Sequence, residues 1–308
     1  MVAEPRAQKA GWGSAYLARA ALRRGHDVGF IGVDDLTLAD DGRVLGSVVR
    51  PNRTARSNEA IVSSLATAAS RREEILPGTD AVFLRYNPGT GKNPTLDFGG
   101  RLRGKVRIIN DPEGARRAAG RMYLGELPPD VRPRTLITRD ARRVKSFLAS
   151  LDGPAVLKPL SDKEGEAMFT VTRSTKKNLN QMIDAVRERG YVVVQEYLAA
   201  QGVKRMLLLD GKPVARGDKV ALYRRQGSER RRCDLGPAEE RIAARLGPKL
   251  RQDGLELASV DIVGDKAVEV NVFTPGGFRA NMELYGLDVG DTVIEHLERS
   301  CVLVPASP

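Results

Sequence analysis

Two segments, 258–263 (ASVDIV) and 266–272 (KAVEVNV), flank the pair Gly264-Asp265. Alternating side chains on either side of so short a glycine-containing connection commit this stretch to an antiparallel hairpin. Asp261 and Glu269 stand four residues either side of Asp265. A turn centred there sets the two carboxylates opposite one another across the strand pair. Asn271, two residues beyond Glu269, shares their face. Val260, Ile262, Val268, Val270 and Val272 are left to the other face. Two carboxylates and an amide oxygen on one side of a half-buried sheet are costly unless something compensates them. Magnesium, a hard ion that takes oxygen ligands and completes its shell with phosphates, is the natural partner. The plainer alternative is an amphipathic strand with three solvated positions.

The rest of the chain falls into two kinds of pattern. Residues 12–24 read as a helix with Ala15, Ala18 and Leu22 on one face, closed by Gly25. Apolar strands at 28–33, 81–84 and 105–109 alternate with helical stretches at 58–70 and 112–127. A turn at Pro77-Gly78 and a loop over 87–100 punctuate them. Such alternation argues a parallel sheet. One piece is missing: such a sheet opens on an apolar strand, and only about ten mostly polar residues precede the first helix. Either the chain's start lies upstream or the sheet lacks its first strand. From about residue 133 the pattern turns antiparallel. Strands at 155–160 and 168–172 surround a polar loop, a helix covers 179–189, and a strand covers 191–195. A hairpin follows at 205–215, then helices at 237–252 and 288–299. The expected division is an N-terminal α/β unit over 1–110 and a second, α+β unit over 111–308. The latter splits into a small lid over 135–198 and a core over 199–308.

With 308 residues, 41% of them hydrophobic, the chain is long enough for a substantial core. No apolar run approaches the roughly 20 residues that span a bilayer. Residues 1–5 lack the apolar core of a signal peptide, so a cytoplasmic protein with no membrane partner is expected. Cys233 and Cys301 show no Cys-x-x-Cys spacing, which argues against a disulfide framework or a thiolate zinc site. The formal net charge is +11, and the densest basic stretch, 204–251, includes Arg224, Arg225, Arg230, Arg231 and Arg232. Aromatics make up 5% of the chain and form no ladder along it, so no nucleic-acid partner is expected. The arginines suit a solvated surface or phosphate handling.

Two further features carry chemistry only in company. Lys158 closes the apolar strand AVLKPL and offers a point charge to a phosphate. The strand YVVVQEYL, 191–198, brings Gln195, Glu196, Tyr197 and Leu198 to its end, where backbone groups can meet a purine edge.

Taken in order, these pieces resemble bacterial glutathione synthetases, of the ATP-grasp superfamily. The likeness runs from about residue 110 to 276, through VLKPL, VVVQEYL, VKRMLLLDGKPV, RRQGSER and VDIVGDKAVEVNVFTPGG. Upstream, LRYNP at 84–88 and IINDPEGARRAAGR at 108–121 are similar to family segments. The resemblance implies a pre-ATP-grasp domain followed by an ATP-grasp fold, and an ATP- and magnesium-dependent ligase joining a small carboxylate to a small amine through an acyl phosphate. It implies that Asp261, Glu269 and Asn271 hold magnesium. Arg121 and Lys158 would touch phosphates, and Gln195, Glu196, Tyr197 and Leu198 would line the adenine site. Arg205, Arg225 and Arg230 would lie near the transferring phosphate or the acyl substrate. It also leaves room for a homo-oligomer.

Departures from the family pattern are informative. Glu164-Gly165 replaces a glycine pair, Arg121 replaces a lysine, and Val203 replaces an acidic residue. After Arg232 a glycine-rich, substrate-covering segment is shortened. A nucleotide-binding protein without ligase turnover is the alternative these changes suggest.

Overall fold

A computed structural model of the chain describes residues 1–68, 70–74, 79–86, 94–160, 168–172, 174–199 and 202–301. Its first layer is built around residues 1–3. Val2 bridges Ile31 on one side and Leu84 on the other, both in parallel. Its N–H donates to the Phe83 carbonyl at 2.9 Å, and the Ala3 N–H donates to Ile31 at 2.9 Å. The strand missing from the sequence pattern is thus supplied by three residues, too few to show any periodicity. The chain continues through α1 (Gly13–Arg23), β1 (Phe30–Leu38), β2 (Val44–Val49), α2 (Asn58–Thr67), β3 (Ser70–Glu74), β4 (Ala81–Phe83), α3 (Thr95–Leu102) and β5 (Arg107–Ile109). Ala15, Ala18 and Leu22 are buried on α1, as the periodicity predicts.

The parallel pairing of β4 with β5 follows expectation, and the parallel order is β1, residues 1–3, β4, β5. Two features differ. From Phe30 onward β1 also pairs with β2 in an antiparallel sheet ordered β1–β2–β3, with a register shift past Ile31. The helix expected to reach residue 70 ends at Thr67, and β3 follows. Gly42, at φ 81°, makes the turn that permits the β1–β2 pairing. Gly46 and Ser47 interrupt the apolar signal of β2, which is why it escapes a reading by hydropathy. The Pro77-Gly78 turn and residues 87–93 of the expected loop lie outside the described residues; from Thr95 onward that loop is helical.

In the next unit, α4 (Pro112–Ala118) is capped by Asp111, whose carboxylate accepts from the Glu113 and Gly114 N–H groups. The helix expected over 112–127 breaks at Gly120 into a 3-10 turn, Arg121–Glu126. Then come β6 (Thr135–Thr138), α5 (Ala141–Ala149), β7 (Ala155–Pro159), β8 (Phe169–Val171), α6 (Leu179–Arg187) and β9 (Val192–Glu196). The sheet order is β6–β9–β7–β8. Leu157, Val192 and Val194 pack with Val144, Ile183 and Val186 of α5 and α6 in a separate small core. That leaves the other sheet face, with Lys158 and Gln195, uncovered by those helices.

The last unit holds β10 (Val203–Leu209), β11 (Lys212–Pro213), β12 (Ala215–Arg216), β13 (Lys219–Val220), β14 (Leu222–Gln226), β15 (Glu229–Arg232), α7 (Pro237–Gln252), β16 (Leu257–Val263), β17 (Lys266–Asn271), α8 (Phe278–Tyr285) and α9 (Val289–Cys301). Its main sheet is ordered β15–β14–β10–β16–β17. Met206, Leu208, Val260 and Ile262 on one face share a core with Ile242, Leu246 and Leu250 of α7, and with Val2, Ile31 and Val82 of the first layer. Leu207 and Ala221 on the other face belong to a core with α1, α9 and Phe278. Burial of side chains this size is worth about 1.5–3 kcal/mol each, so this sheet is fixed by cores on both faces, whereas the β6–β9–β7–β8 sheet has its own smaller core with α5 and α6. Arg19–Asp288 at 2.7 Å and Arg24–Glu298 tie α1 to α9. Among the described residues no helix is long and apolar enough to cross a membrane.

Candidate active site

Register assembles the site. Across the β16–β17 hairpin Asp261 pairs with Glu269, and Ser259 pairs with Asn271. Directly paired residues of antiparallel strands share a face, so the expected convergence of Asp261, Glu269 and Asn271 is present. On the neighbouring strand Arg205 pairs with Asp261. Beyond it Val203 pairs with Arg225, and Arg225 pairs with Arg230. Alternation keeps all of these on one side of the sheet. One detail of the hairpin differs from its simple reading. The register slips between Asp261 and Ile262, so Ile262 faces Ala267. Ala267, fully buried, takes the core position expected for Val268, and Val268 turns to line a cavity beside Glu269.

The carboxylate of Asp261 is buried and clamped. Arg205 Nε donates to Oδ1 at 2.6 Å and Nη2 donates to Oδ2 at 2.7 Å, a two-point fork. Arg225 Nη2 adds a third bond to Oδ2 at 2.9 Å. The bond to Asp261 is the largest influence raising the pKa of Arg205, with the charge of Glu269 a smaller one. Gly277, at φ 108°, begins the turn into α8 and leaves Leu207 and Tyr223 no Cβ to collide with. Covered by this turn, the apolar end of the face is sealed, and the charged end stays open.

A cavity of about 220 Å³ runs along the edge of β17, and Arg121, Lys158, Glu269 and Asn271 line it together. Lys158 reaches it from the lid. Its Nζ donates to Gln195 Oε1 at 3.2 Å, and Gln195 Nε2 donates to Thr135 Oγ1 at 3.1 Å. Arg121 donates to the Pro159 carbonyl, which fastens the 3-10 turn to the strand carrying Lys158. Asn271 Oδ1 accepts from the Thr274 N–H at 3.1 Å, and a carbonyl oxygen of this kind keeps a second lone pair. Ser259, paired with Asn271, was not anticipated as part of the face. It is 2% exposed, and among the described residues its hydroxyl has no hydrogen-bond partner. Its position two residues before Asp261 was the available signal.

The other expected residues lie further out. Arg230 is exposed at the sheet edge on β15, and the stretch after Arg232, read as a shortened loop, is the short link over 233–236 between β15 and α7. Glu196, Tyr197 and Leu198 lie at and just past the end of β9, outside the cavity lining. The Glu196 N–H donates to Arg134 at 3.0 Å, and the Tyr197 N–H donates to Pro154 at 2.9 Å. Glu164 and Gly165 fall outside the described residues. What converges, then, is a face of oxygen donors and guanidinium groups next to a lysine on a separately packed lid. That donor chemistry suits a polyanion carried with a hard divalent ion.

Residues 121–286 match the family model described as prokaryotic glutathione synthetase, ATP-grasp domain. The chain belongs to this family. The glutathione synthetase of Synechococcus elongatus is 31% identical to it over 301 residues, covering 92% of this chain and 91% of its own length. That of Mesorhizobium japonicum is 29% identical, covering 94% and 93%. Solved structures share the fold at lower identity. A RimK domain ATP-grasp protein from Sphaerobacter thermophilus has a TM-score of 0.57 at 19% identity, covering 91% of this chain and 93% of its own. The ATP-grasp ligase PsnB, complexed with minimal precursor, has a TM-score of 0.61 at 17% identity, covering 92% and 93%. The ATP-grasp fold expected from the sequence therefore holds. As a member of the glutathione synthetase family, the chain is an ATP-dependent ligase that forms carbon–nitrogen bonds.

Proposed function

We propose that the chain activates a substrate carboxylate as an acyl phosphate at the expense of ATP and transfers the acyl group to an amine, with γ-glutamylcysteine and glycine, or related peptide-like compounds, as the pair. The γ-phosphoryl group moves to the carboxylate oxygen and ADP leaves. The amine then attacks the acyl carbon, and phosphate departs with that oxygen. The observation that carries this reading is the pairing of Asp261 with Glu269, next to the Arg205 fork and across from Lys158.

Asp261, Glu269 and Asn271 would hold magnesium. The unpartnered Ser259 hydroxyl beside them marks the spot as unfinished without a ligand. When bound, the ion supplies charge neutralisation to the phosphates. Arg205 and Arg225 fix the Asp261 carboxylate and set positive charge beside the position where the transferred group gains negative charge. Lys158 and Arg121 steer phosphate oxygens from the lid side. Gln195, Glu196, Tyr197 and Leu198 edge the purine. Arg230 extends the guanidinium row towards the acyl substrate. Catalysis is then positioning and charge placement, with no protein nucleophile.

The test is magnesium-dependent ADP release with γ-glutamylcysteine and glycine, run beside a panel of other dipeptides and amino acids, with products identified by mass spectrometry. Release that requires both an acid and an amine is expected. Tight nucleotide binding with no substrate-stimulated release would contradict the proposal and favour a non-catalytic nucleotide binder.

A further inference from the structure

Arg85 follows β4 and is only 6% exposed. Its Nε donates to Ser14 Oγ at 3.2 Å, and its guanidinium lies 5.7 Å from the centre of the Phe278 ring. No carboxylate among the described residues forms a salt bridge with it. Burial alone acts on its pKa, bringing it down to about 10. The next seven residues outside the description, 87–93, include no Asp or Glu. A guanidinium taken out of water without a counter-charge is costly, and such groups are kept where an anion arrives.

The surroundings repeat the same sign. One terminal nitrogen of Arg85 lies 2.7 Å from where a Cβ on Gly13 would stand, so the guanidinium rests against the first residue of α1. The residue before that helix, Trp12, gives it no side-chain cap. The positive end of the helix dipole therefore meets the guanidinium at the same place. Arg279 packs over Gly11 nearby, 3.2 Å from its would-be Cβ. Topology places this cluster where a ligand is expected. The order β1, residues 1–3, β4 puts β1 and β4 on opposite sides of the central segment, and open α/β sheets bind ligands at the carboxyl ends of strands flanking such a reversal. The cluster also adjoins the site already described. Phe278, under Arg85, is two residues past Gly276, whose would-be Cβ lies 2.8 Å from Arg205 Nη1.

We propose that this cluster is a carboxylate subsite holding the non-reacting end of the acyl donor, with Arg85, Ser14 and the first turn of α1 as donors and Arg279 beside them. That the carboxylate belongs to an acyl donor rests on the ligase reading above.

Trp12, the chain's one tryptophan, is 45% exposed at the start of α1 and reports on this cluster by its emission. The experiment titrates the full chain with γ-glutamylcysteine and with 4-aminobutyrylcysteine, which lacks only the glutamyl α-carboxylate. ADP release is followed in parallel. The intact dipeptide should bind about 30-fold more tightly, the worth of a charge-assisted contact. Arg85→Gln should erase that preference while leaving ATP affinity unchanged. Arg279 is exposed and among the described residues pairs with Glu283 alone, so Arg279→Ala is expected to keep the fold. It should weaken the intact dipeptide about three-fold, which secures the test if the Arg85 variant does not fold. Equal binding of both dipeptides to the unaltered chain, or no binding of either, overturns the subsite. ADP release from γ-glutamylcysteine with no such preference overturns the subsite and leaves the ligase standing. Carboxylate-dependent binding without ADP release does the reverse.

Discussion

The two sheets that meet at the cleft hold their polar groups in opposite ways. On the core sheet Asp261 is buried and bound by two guanidinium groups through three short bonds. Each partner sits on a strand whose other face is fixed by the main core. On the smaller sheet Lys158 Nζ donates to the neutral Gln195 amide at 3.2 Å, and that sheet's core lies among its own strands and helices. Charge held by charge on a rigid frame gives a preset geometry. A lysine on a sheet with its own small core moves with that sheet rather than with the main core. Removing the buried Asp261 carboxylate should therefore cost both fold and function, and substitution of Lys158 only ligand affinity.

The largest effect should come from the core sheet. Asp261→Asn together with Glu269→Gln should lower turnover about a thousand-fold or more and remove the magnesium dependence of nucleotide binding, as read by calorimetry with and without the ion. Asp261→Ala should in addition destabilise the chain by about 3–5 kcal/mol in denaturant titrations, because it strands the largely buried Arg205. Equal stability of that variant and the parent would erase the contrast between the sheets. Next comes the lid. Lys158→Ala should weaken ATP about 10- to 100-fold and leave both adenosine affinity and melting temperature in place. Equal losses for ATP and adenosine would take the lysine away from phosphate. Arg225 is 40% exposed, so Arg225→Met should lower kcat about ten-fold with little change in stability.

The smallest effect belongs to a charge pair outside both sheets. Arg24 holds Glu298 down to a pKa of about 2 from an ordinary 4.5. A depressed carboxyl contributes stability that is complete above the unfolded value and is lost as pH falls towards the folded one. Glu298→Gln should therefore lower the melting temperature by about 1–2 °C at pH 7. That gap should close between about pH 4.5 and pH 2. A gap that persists at pH 2 would mean that the glutamate acts by packing.

The site was legible where one short segment carries it. Gly264-Asp265 fixes the hairpin, and counting outward from it pairs Asp261 with Glu269. The slip after Asp261 was not legible, because one extra residue leaves the alternation of apolar letters almost unchanged. Nor was the clamp, since pairing Arg205 with Asp261 joins strands 56 residues apart. The cavity that gathers Lys158 with Glu269 depends on how the lid is set over β17. In the fold, helices with long apolar faces such as α1 and α7 stand where periodicity puts them. Residues 1–3 and β2 were missed because one is too short and the other is interrupted by Gly46 and Ser47. Arg85 gave no signal beyond its place in the LRYNP segment: burial without a counter-charge is a property of the folded surroundings, not of its neighbours in sequence.

The direct test of the central claim follows an oxygen atom. γ-Glutamylcysteine labelled with oxygen-18 in its cysteinyl carboxylate is incubated with ATP, magnesium, glycine and the chain, and the released phosphate is weighed by mass spectrometry. One labelled oxygen per phosphate is predicted, because the carboxylate takes the phosphoryl group before the amine displaces it. Peptide formed alongside unlabelled phosphate would contradict the account.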